Sequence, residues 1–347
     1  MSTGGVVLLS SGTTGASKLV VRSLAALSAD ARQVVEALAL RRDDSVAAAM
    51  PLCHSYGVDM MVAALLAGAA LHVHSRFDPA ALAADLRTGA TVFPGVPFMY
   101  EALARADHTS TTASSGSMAL RLAFSAGTPL HPRIAREMQR VWGLRIGQLY
   151  GLSELGSVTF NNPDSSKFDS ASVGVPMRGV EIRIVDPDDS ARVMESGVEG
   201  HVAIRARSML SGYMPAEAPV LVHGFFPTGD LGKIDAAGRL YITGRLKLLI
   251  DVGGLKVNPL DVEAVLATHP DVAECVVVPL VVSDTVMRVR AVYVASDPLN
   301  PPRESELRAF MKERVSAFKV PRVFERVEVL PRSASGKVLR GQLMGEG

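Results

Sequence analysis

The chain has 347 residues, of which 48% are hydrophobic and 20% charged, and its formal net charge is +1. That length exceeds one ordinary core and favours two or more domains. The near-zero charge argues against a partner held by a global field, whether nucleic acid or an anionic membrane. Two cysteines, Cys53 and Cys275, stand without a CxxC pair or a His/Cys cluster, which argues against a disulfide framework or a structural zinc site and fits a reducing compartment. No basic segment followed by an apolar run opens the sequence, and the longest apolar stretch, 60–71, is roughly half of the ~20 residues a membrane span needs. A cytoplasmic enzyme or binding protein without a transmembrane segment is the expectation.

Taken in chain order, residues 6–9, 46–50, 70–74, 91–93, 120–124 and 145–149 read as buried strands, with helices at 25–40, 79–86, 97–104 and 132–141 between them. Strand and helix in alternation predict crossover units and a parallel sheet. Directly after the first strand stands SSGTTGASK, 10–18, with five hydroxyl side chains and two glycines ahead of Lys18. A solvated turn and a phosphate cradle are both open for it, since small residues let backbone N–H groups converge on an anion while hydroxyls and a lysine add donors and charge. It is neither a GxGxxG nor a Walker loop, because Lys18 follows Ser17 rather than glycine. The Ser/Thr-rich stretch 106–117 reads as a surface loop.

From Val173 the pattern shortens: 180–185 and 201–205 read as strands of a small β-rich layer. Beyond Arg245 a third region begins. Asn258-Pro259 is a helix start leading into 260–268. Strands follow at 273–278 and 290–294, then a helix with Leu307, Phe310, Met311 and Val315 on one face. The expected division is 1–172, 173–245 and 246–347.

YGLSE at 150–154, TGD at 228–230, GRLK at 244–247 and SGK at 335–337 occur in that order after SSGTTGASK, together with PLCHSYG at 51–57, FSAGTPL at 124–130 and GGLKVNP at 253–259. This ordered set resembles the AMP-forming adenylating superfamily of acyl-CoA synthetases, carrier-protein adenylation domains and luciferases, over essentially the whole chain. The resemblance implies an α/β fold: a truncated large domain with a parallel sheet, helices and a small β-rich layer, then a small mobile α+β C-terminal domain. It implies ATP, Mg²⁺ and coenzyme A as reactants and cofactors. A carboxylate joins the α-phosphate, pyrophosphate leaves, and the acyl group passes to a thiol.

Residue roles follow from the same resemblance. Ser11, Thr13, Thr14 and Lys18 would hold the β- and γ-phosphates, and Glu154 the Mg²⁺. Ser153 stands where the family usually has threonine, and either hydroxyl suits the α-phosphate. Gly127, Thr128 and Pro129 would line the adenine pocket, with Tyr150 on the ring and Gly151 beside it. Asp230 would accept from both ribose hydroxyls, as a carboxylate can, with Arg245 next to it. Lys337 would bridge substrate carboxylate and α-phosphate, neutralising charge as it develops. Lys247 marks the hinge about which the C-terminal domain swings. Leu248 and Asp251 depart from the family pattern just after it.

His54 resembles a gate at the acyl pocket, and an ordinary interior histidine is equally open. Val58, Met60, Met61 and Phe98 around it are apolar and imply an apolar acid, from fatty or aromatic acid metabolism. Asp59 is spaced wrongly to pair with an amino acid's amine. The resemblance, with GGLKVNPLDVE at 253–263 closest to the CoA ligases, implies first an ATP-dependent carboxylate–CoA ligase; the alternatives are loading of an acid onto a carrier-protein phosphopantetheine thiol and a truncated non-catalytic nucleotide- or acyl-binding relative. In the family the phosphate loop lies well inside the chain, whereas here it begins at residue 10. A natural short form, a second polypeptide completing the fold and a late start assignment all fit that, with exposed apolar faces implying a homodimer or an N-terminal partner chain.

Overall fold

In the computed structural model, residues 4–10, 18–107, 119–215, 218–283, 286–333 and 336–344 are described. Ser11, Thr13 and Thr14, and most of the expected loop at 106–117, lie outside them. Contact between residues divides the chain into two units: 4–10, 18–228 and 233–242 make the first, while 229–232 and 243–344 make the second.

The first apolar run is β1 (Gly5–Ser10), and it pairs antiparallel with β2 (Lys18–Ser23) so that Val7 faces Val21 and Leu9 faces Leu19. This corrects the expectation of a buried strand in the parallel sheet. Leu8 is buried, but Val7 and Leu9 are half exposed, because only one face of this ribbon is covered by the core and side chains alternate across a strand. Ser23 then caps α1 (Leu24–Ala37), its hydroxyl accepting from the Ala26 N–H.

The alternating run builds the main sheet. It comprises β3 (Ser45–Ala48), α2 (Ser55–Ala67), β4 (Ala70–Val73), α3 (Pro79–Thr88), β5 (Val92–Gly95), α4 (Pro97–Asp107), β6 (Leu122–Ser125), α5 (Pro132–Trp142), β7 (Gly147–Leu152), β8 (Gly156–Asn161) and β9 (Val175–Pro176). Strand order is β4-β3-β5-β6-β7-β8-β9, parallel through β7, with β8 and β9 antiparallel. Neighbouring residues in these strands face opposite ways. Val46, Val92 and Leu122 pack with Met60 and Ala63 beneath α1 and α2, whereas Ala47, Phe93 and Ala123 pack with Leu82, Met99 and Met138 beneath α3, α4 and α5. Helix α2 was not legible as a helix: its apolar run extends into β4, and Gly68, in the left-handed region at φ 71°, is what separates the two.

The β-rich layer contains β10 (Val180–Val185), β11 (Gly200–Ala206), β12 (Gly212–Met214), β13 (Phe226–Ile234) and β14 (Leu240–Arg245). Four of these form a sheet in the order β10-β11-β13-β14, while β12 joins β2 and β1. In the second unit, β15 (Ile250–Val252) and β16 (Leu255–Val257) form a hairpin and α6 (Pro259–Leu266) starts at Asn258, whose side chain accepts from the Leu260 N–H. Then β17 (Val272–Ser283), β18 (Val286–Ala295) and β19 (Val323–Arg326) form a sheet, joined by α7 (Glu304–Lys312) and followed by α8 (Arg340–Leu343). Leu307 and Met311 of α7 are buried with Val262, Leu266 and Val289 in this unit's own core. Among the described residues no helix is long and apolar enough to cross a membrane.

Candidate active site

The carboxyl edge of a parallel sheet is where open α/β folds bind ligands, because loops and helix starts converge there. Strands β6 and β7 are hydrogen-bonded parallel neighbours, so the segments leaving them lie side by side at that edge. Gly127, Thr128 and Pro129 leave β6 with their surfaces exposed, which suits a backbone-lined pocket for a flat ring. Tyr150, Gly151, Ser153 and Glu154 occupy the end of β7 and its turn into β8, with Tyr150, Ser153 and Glu154 half-buried and Gly151 exposed.

That turn is tightly made. A side chain on Gly151 would place its Cβ 2.4 Å from the Gly156 carbonyl oxygen, and Gly156 itself has φ 72°, in the left-handed region. Leu155 is fully buried, the Leu155 N–H donates to the Leu152 oxygen at 3.0 Å, and the Leu210 N–H donates to the Glu154 oxygen at 2.7 Å. Both polar groups of the peptide that follows Glu154 are therefore held. Among the described residues no group of three His, Cys, Asp or Glu is placed to hold a metal ion. A magnesium site would thus take Glu154 with nucleotide phosphates and waters, which matches the way Mg²⁺ binds through one or two carboxylates.

Lys18 opens β2, exposed, with its Nζ 4.9 Å from the centre of the Tyr213 ring. His54 is the residue before α2 and makes no side-chain hydrogen bond to the helix start. The apolar residues expected around it do not converge: Val58, Met60 and Phe98 pack into three different cores. Asp59 is 4% exposed and is consumed by Arg22, whose Nη1 donates to Asp59 Oδ1 at 2.6 Å.

In the second unit Asp230 and Arg245, far apart in sequence, meet as an ion pair. Asp230 is 1% exposed and its Oδ1 lies 2.6 Å from Arg245 Nε. Lys247 lies in a 3-10 turn, Leu246–Leu248. Asp251 accepts the Gly254 N–H at 2.7 Å and pairs with Lys256 at 2.6 Å, so this departure from the family pattern closes its own hairpin. Lys337 rides on a short ribbon in which Arg332 bridges Val338, and the Ser333 N–H donates to the Lys337 oxygen at 2.8 Å.

Sequence reasoning missed a buried charged cluster formed by Arg22, Asp30 and Asp59 beneath the β7–β8 turn. Burial works against the Arg22 charge, but Asp59 and Asp30 outweigh it and raise its pKa. Burial, with Asp59 beside it, pushes the Asp30 carboxyl well above the usual carboxylate range. The signal available was Arg22 itself, at an inward position two residues beyond the buried Val20.

With this geometry in place, comparison with known proteins gives the family. Residues 5–214 match the model of the AMP-binding enzyme and residues 261–337 that of its C-terminal domain. The chain belongs to the AMP-forming adenylating superfamily. It is 30% identical over 350 residues to 4-coumarate–CoA ligase 1 of Oryza sativa subsp. japonica, covering 96% of this chain and 61% of that protein. It is 29% identical over 348 residues to oxalate–CoA ligase of Arabidopsis thaliana, covering 97% and 66%. The chain thus spans less than two thirds of the length of either relative. The structure of o-succinylbenzoate coenzyme A synthetase (MenE) from Bacillus subtilis in complex with ATP and magnesium ion superposes with a TM-score of 0.83, at 27% identity, covering 97% of this chain and 69% of that one. The expected α/β fold, with its parallel sheet and small C-terminal domain, is the adenylating-enzyme fold.

Proposed function

We propose that this chain activates a carboxylic acid with ATP and transfers the acyl group to coenzyme A. The observation that carries the reading is the pairing of two motif segments, 127–129 and 150–154, at the carboxyl ends of adjacent parallel strands. The relatives are acid–CoA ligases, which supports it.

In the first step a carboxylate oxygen attacks the α-phosphorus of ATP and the bond to the β-phosphate oxygen breaks, releasing pyrophosphate. Both partners are anions, so preorganised cations and donors stabilise the transition state. Ser11, Thr13, Thr14 and Lys18 serve the β- and γ-phosphates. Gly127, Thr128, Pro129 and Tyr150 hold the adenine, and Asp230, oriented by Arg245, accepts from the ribose hydroxyls. Ser153 donates to the α-phosphate, and Lys337 bridges the attacking carboxylate oxygen and the α-phosphate, neutralising the charge that develops there. Mg²⁺, held by Glu154 and the phosphates, supplies charge neutralisation when bound. In the second step a thiol sulfur attacks the acyl carbon, the acyl–phosphate bond breaks, AMP leaves and the thiol proton is released. Lys247 is the pivot for the change between steps, and His54 stands at the acyl entrance.

Pyrophosphate release measured over a panel of carboxylic acids, with and without coenzyme A, tests this. Acid-dependent pyrophosphate, with thioester formed only when coenzyme A is present, is expected. Thioester on a carrier-protein phosphopantetheine but none on coenzyme A would change the acceptor. ATP binding with no pyrophosphate from any acid would overturn the reading in favour of a nucleotide-binding role.

A further inference from the structure

Strand β2, helices α1 and α2 and the β7–β8 hairpin meet at one buried charged cluster to which the chemistry of adenylation assigns no task. Arg22, Asp30 and Asp59 are 0%, 1% and 4% exposed. Arg22 lies 2.6 Å from Asp59 and 3.3 Å from Asp30, and Ser55 Oγ donates to Asp59 Oδ2 at 3.2 Å. Asp30 Oδ1 accepts the Ser157 N–H at 2.8 Å and Gln33 Nε2 at 3.1 Å, and the same Gln33 nitrogen donates to the Ser157 oxygen at 2.5 Å. Both backbone groups of Ser157 are thus gripped from α1.

Stability alone explains this cluster poorly. Buried ion groups are often matched or bettered by apolar side chains of like volume. Here one guanidinium faces two carboxyls, and among the described residues Arg22 Nε, Arg22 Nη2 and Asp30 Oδ2 find no hydrogen-bond partner, although the last two lie 3.3 Å apart as an ion pair. What the cluster does provide is geometry. Arg22 lies four residues beyond Lys18 on β2, Asp59 five beyond His54 on α2, and Ser157 three beyond Glu154. A Cβ on Gly156 would lie 2.5 Å from Asp30 Oδ1 and 2.6 Å from Arg22 Nη2, so the turn rests directly on the charged groups.

We propose that the Arg22–Asp30–Asp59 cluster is a positioning device that fixes the 153–156 turn against β2, so that Asp30 acts on nucleotide activation through Glu154. This rests on the role proposed for Glu154. Asp30 is a positioning residue and touches no substrate.

The test uses the full chain with Asp30→Ala, Asp30→Asn, Gln33→Ala, Glu154→Gln and the double variant Asp30→Ala/Glu154→Gln. Hydrogen exchange across 147–161 reads the tether without substrate, and acid-dependent pyrophosphate release against Mg²⁺ and ATP concentration reads its consequence. Asp30→Ala is expected to speed exchange at 147–161 and to slow turnover by about 10–100-fold, the usual range for supports behind a ligand, with a higher Mg²⁺ requirement. Asp30→Asn, which keeps an acceptor for the Ser157 N–H, recovers most of the loss. The double variant is no slower than Glu154→Gln alone, because residues acting through one another do not add. Multiplied losses in the double variant, an Asn variant as poor as Ala, or unchanged exchange or turnover each overturn the proposal. Should Asp30→Ala fail to fold, Gln33→Ala, which leaves every charge in place, decides by the same two readouts. Should the parent release no pyrophosphate with any acid, the functional reading fails separately, and exchange together with Mg²⁺–ATP binding in the same variants decides: both altered supports the tether, either unchanged overturns it.

Discussion

Lys337 and Asp230 are expected to fail differently, because the role proposed for one is to meet developing charge and for the other to hold the ribose. Lys337→Ala leaves ATP affinity nearly intact and removes adenylate formation, a loss of about 3 kcal/mol or more if it neutralises the transition state as one such donor does. Nucleotide titration beside single-turnover pyrophosphate release checks this, and equal adenylation rates would remove Lys337 from the site. Asp230→Ala weakens ATP and AMP binding together, by about 1.5–3 kcal/mol for hydrogen bonds to a charged group, and leaves Arg245 without its 2.6 Å partner. Unchanged affinities for both nucleotides would exclude the ribose role. At this scale much was legible: TGD and GRLK named the residues that form the ion pair. Nothing in either motif says that Asp230 is buried, since burial depends on what packs over it. The same limit hid Arg22, whose two carboxyl partners come from α1 and α2.

The β7–β8 hairpin carries the residues proposed to meet the nucleotide, and at Gly156 a left-handed backbone and close neighbours coincide. Gly156→Ala demands a left-handed backbone from a residue with a Cβ and pushes that Cβ to 2.5 Å from Asp30 Oδ1. Strain of this kind costs about 1–3 kcal/mol, so the denaturation midpoint should fall, with nucleotide turnover falling alongside it. A midpoint equal to the parent's would show that the turn can relax. The 3-10 turn at Leu246–Leu248 gives a second test at the same scale. Lys247→Pro fixes φ near −65°, and it should spare pyrophosphate release while reducing thioester yield. Parallel loss of both half-reactions would mean that Lys247 is no hinge. The helix flagged by its cap was read well: Asn258 accepts from the Leu260 N–H, while the caps at Ser23 and Asp78 emerge only in the structure. Elements without such punctuation were not. Strand β2 was hidden inside an apolar run, and α2 ran on into β4.

Over the whole first unit the two edges of the parallel sheet are built for opposite purposes. Its carboxyl edge carries the exposed segments 127–129 and the 150–154 turn, whereas its amino edge is locked. There Asp44 accepts from Arg121 Nη2 at 2.6 Å, Arg121 Nε at 2.8 Å, Thr91 Oγ1 at 2.7 Å and the Arg41 N–H at 2.8 Å, tying β3, β5 and β6 together. Burial opposes its charge, but these bonds prevail and hold the carboxyl at about 2. A carboxyl depressed in the fold stabilises it above the unfolded value of ~3.9 and loses that contribution as pH falls toward about 2. Asp44→Asn should therefore cost about 2 kcal/mol near neutrality. The gap between parent and variant in urea midpoints should close as pH falls from about 4 towards 2. A gap independent of pH over that window would mean that the ionised form is not what stabilises this edge.

The family, the α/β alternation and the order of the motifs were legible in the residues alone, because these reside in local patterns: apolar periodicity, caps, glycines and short runs of hydroxyl and charged residues. Tertiary structure alone decided that residues 6–9 join an antiparallel ribbon instead of the main sheet, that Met60 and Phe98 lie in different cores, and that Asp59 is spent on Arg22. Each of these depends on which chain segments, distant in sequence, share a face. The alternation of side chains along a strand says that a residue points inward, but only the assembled layers say what it meets there.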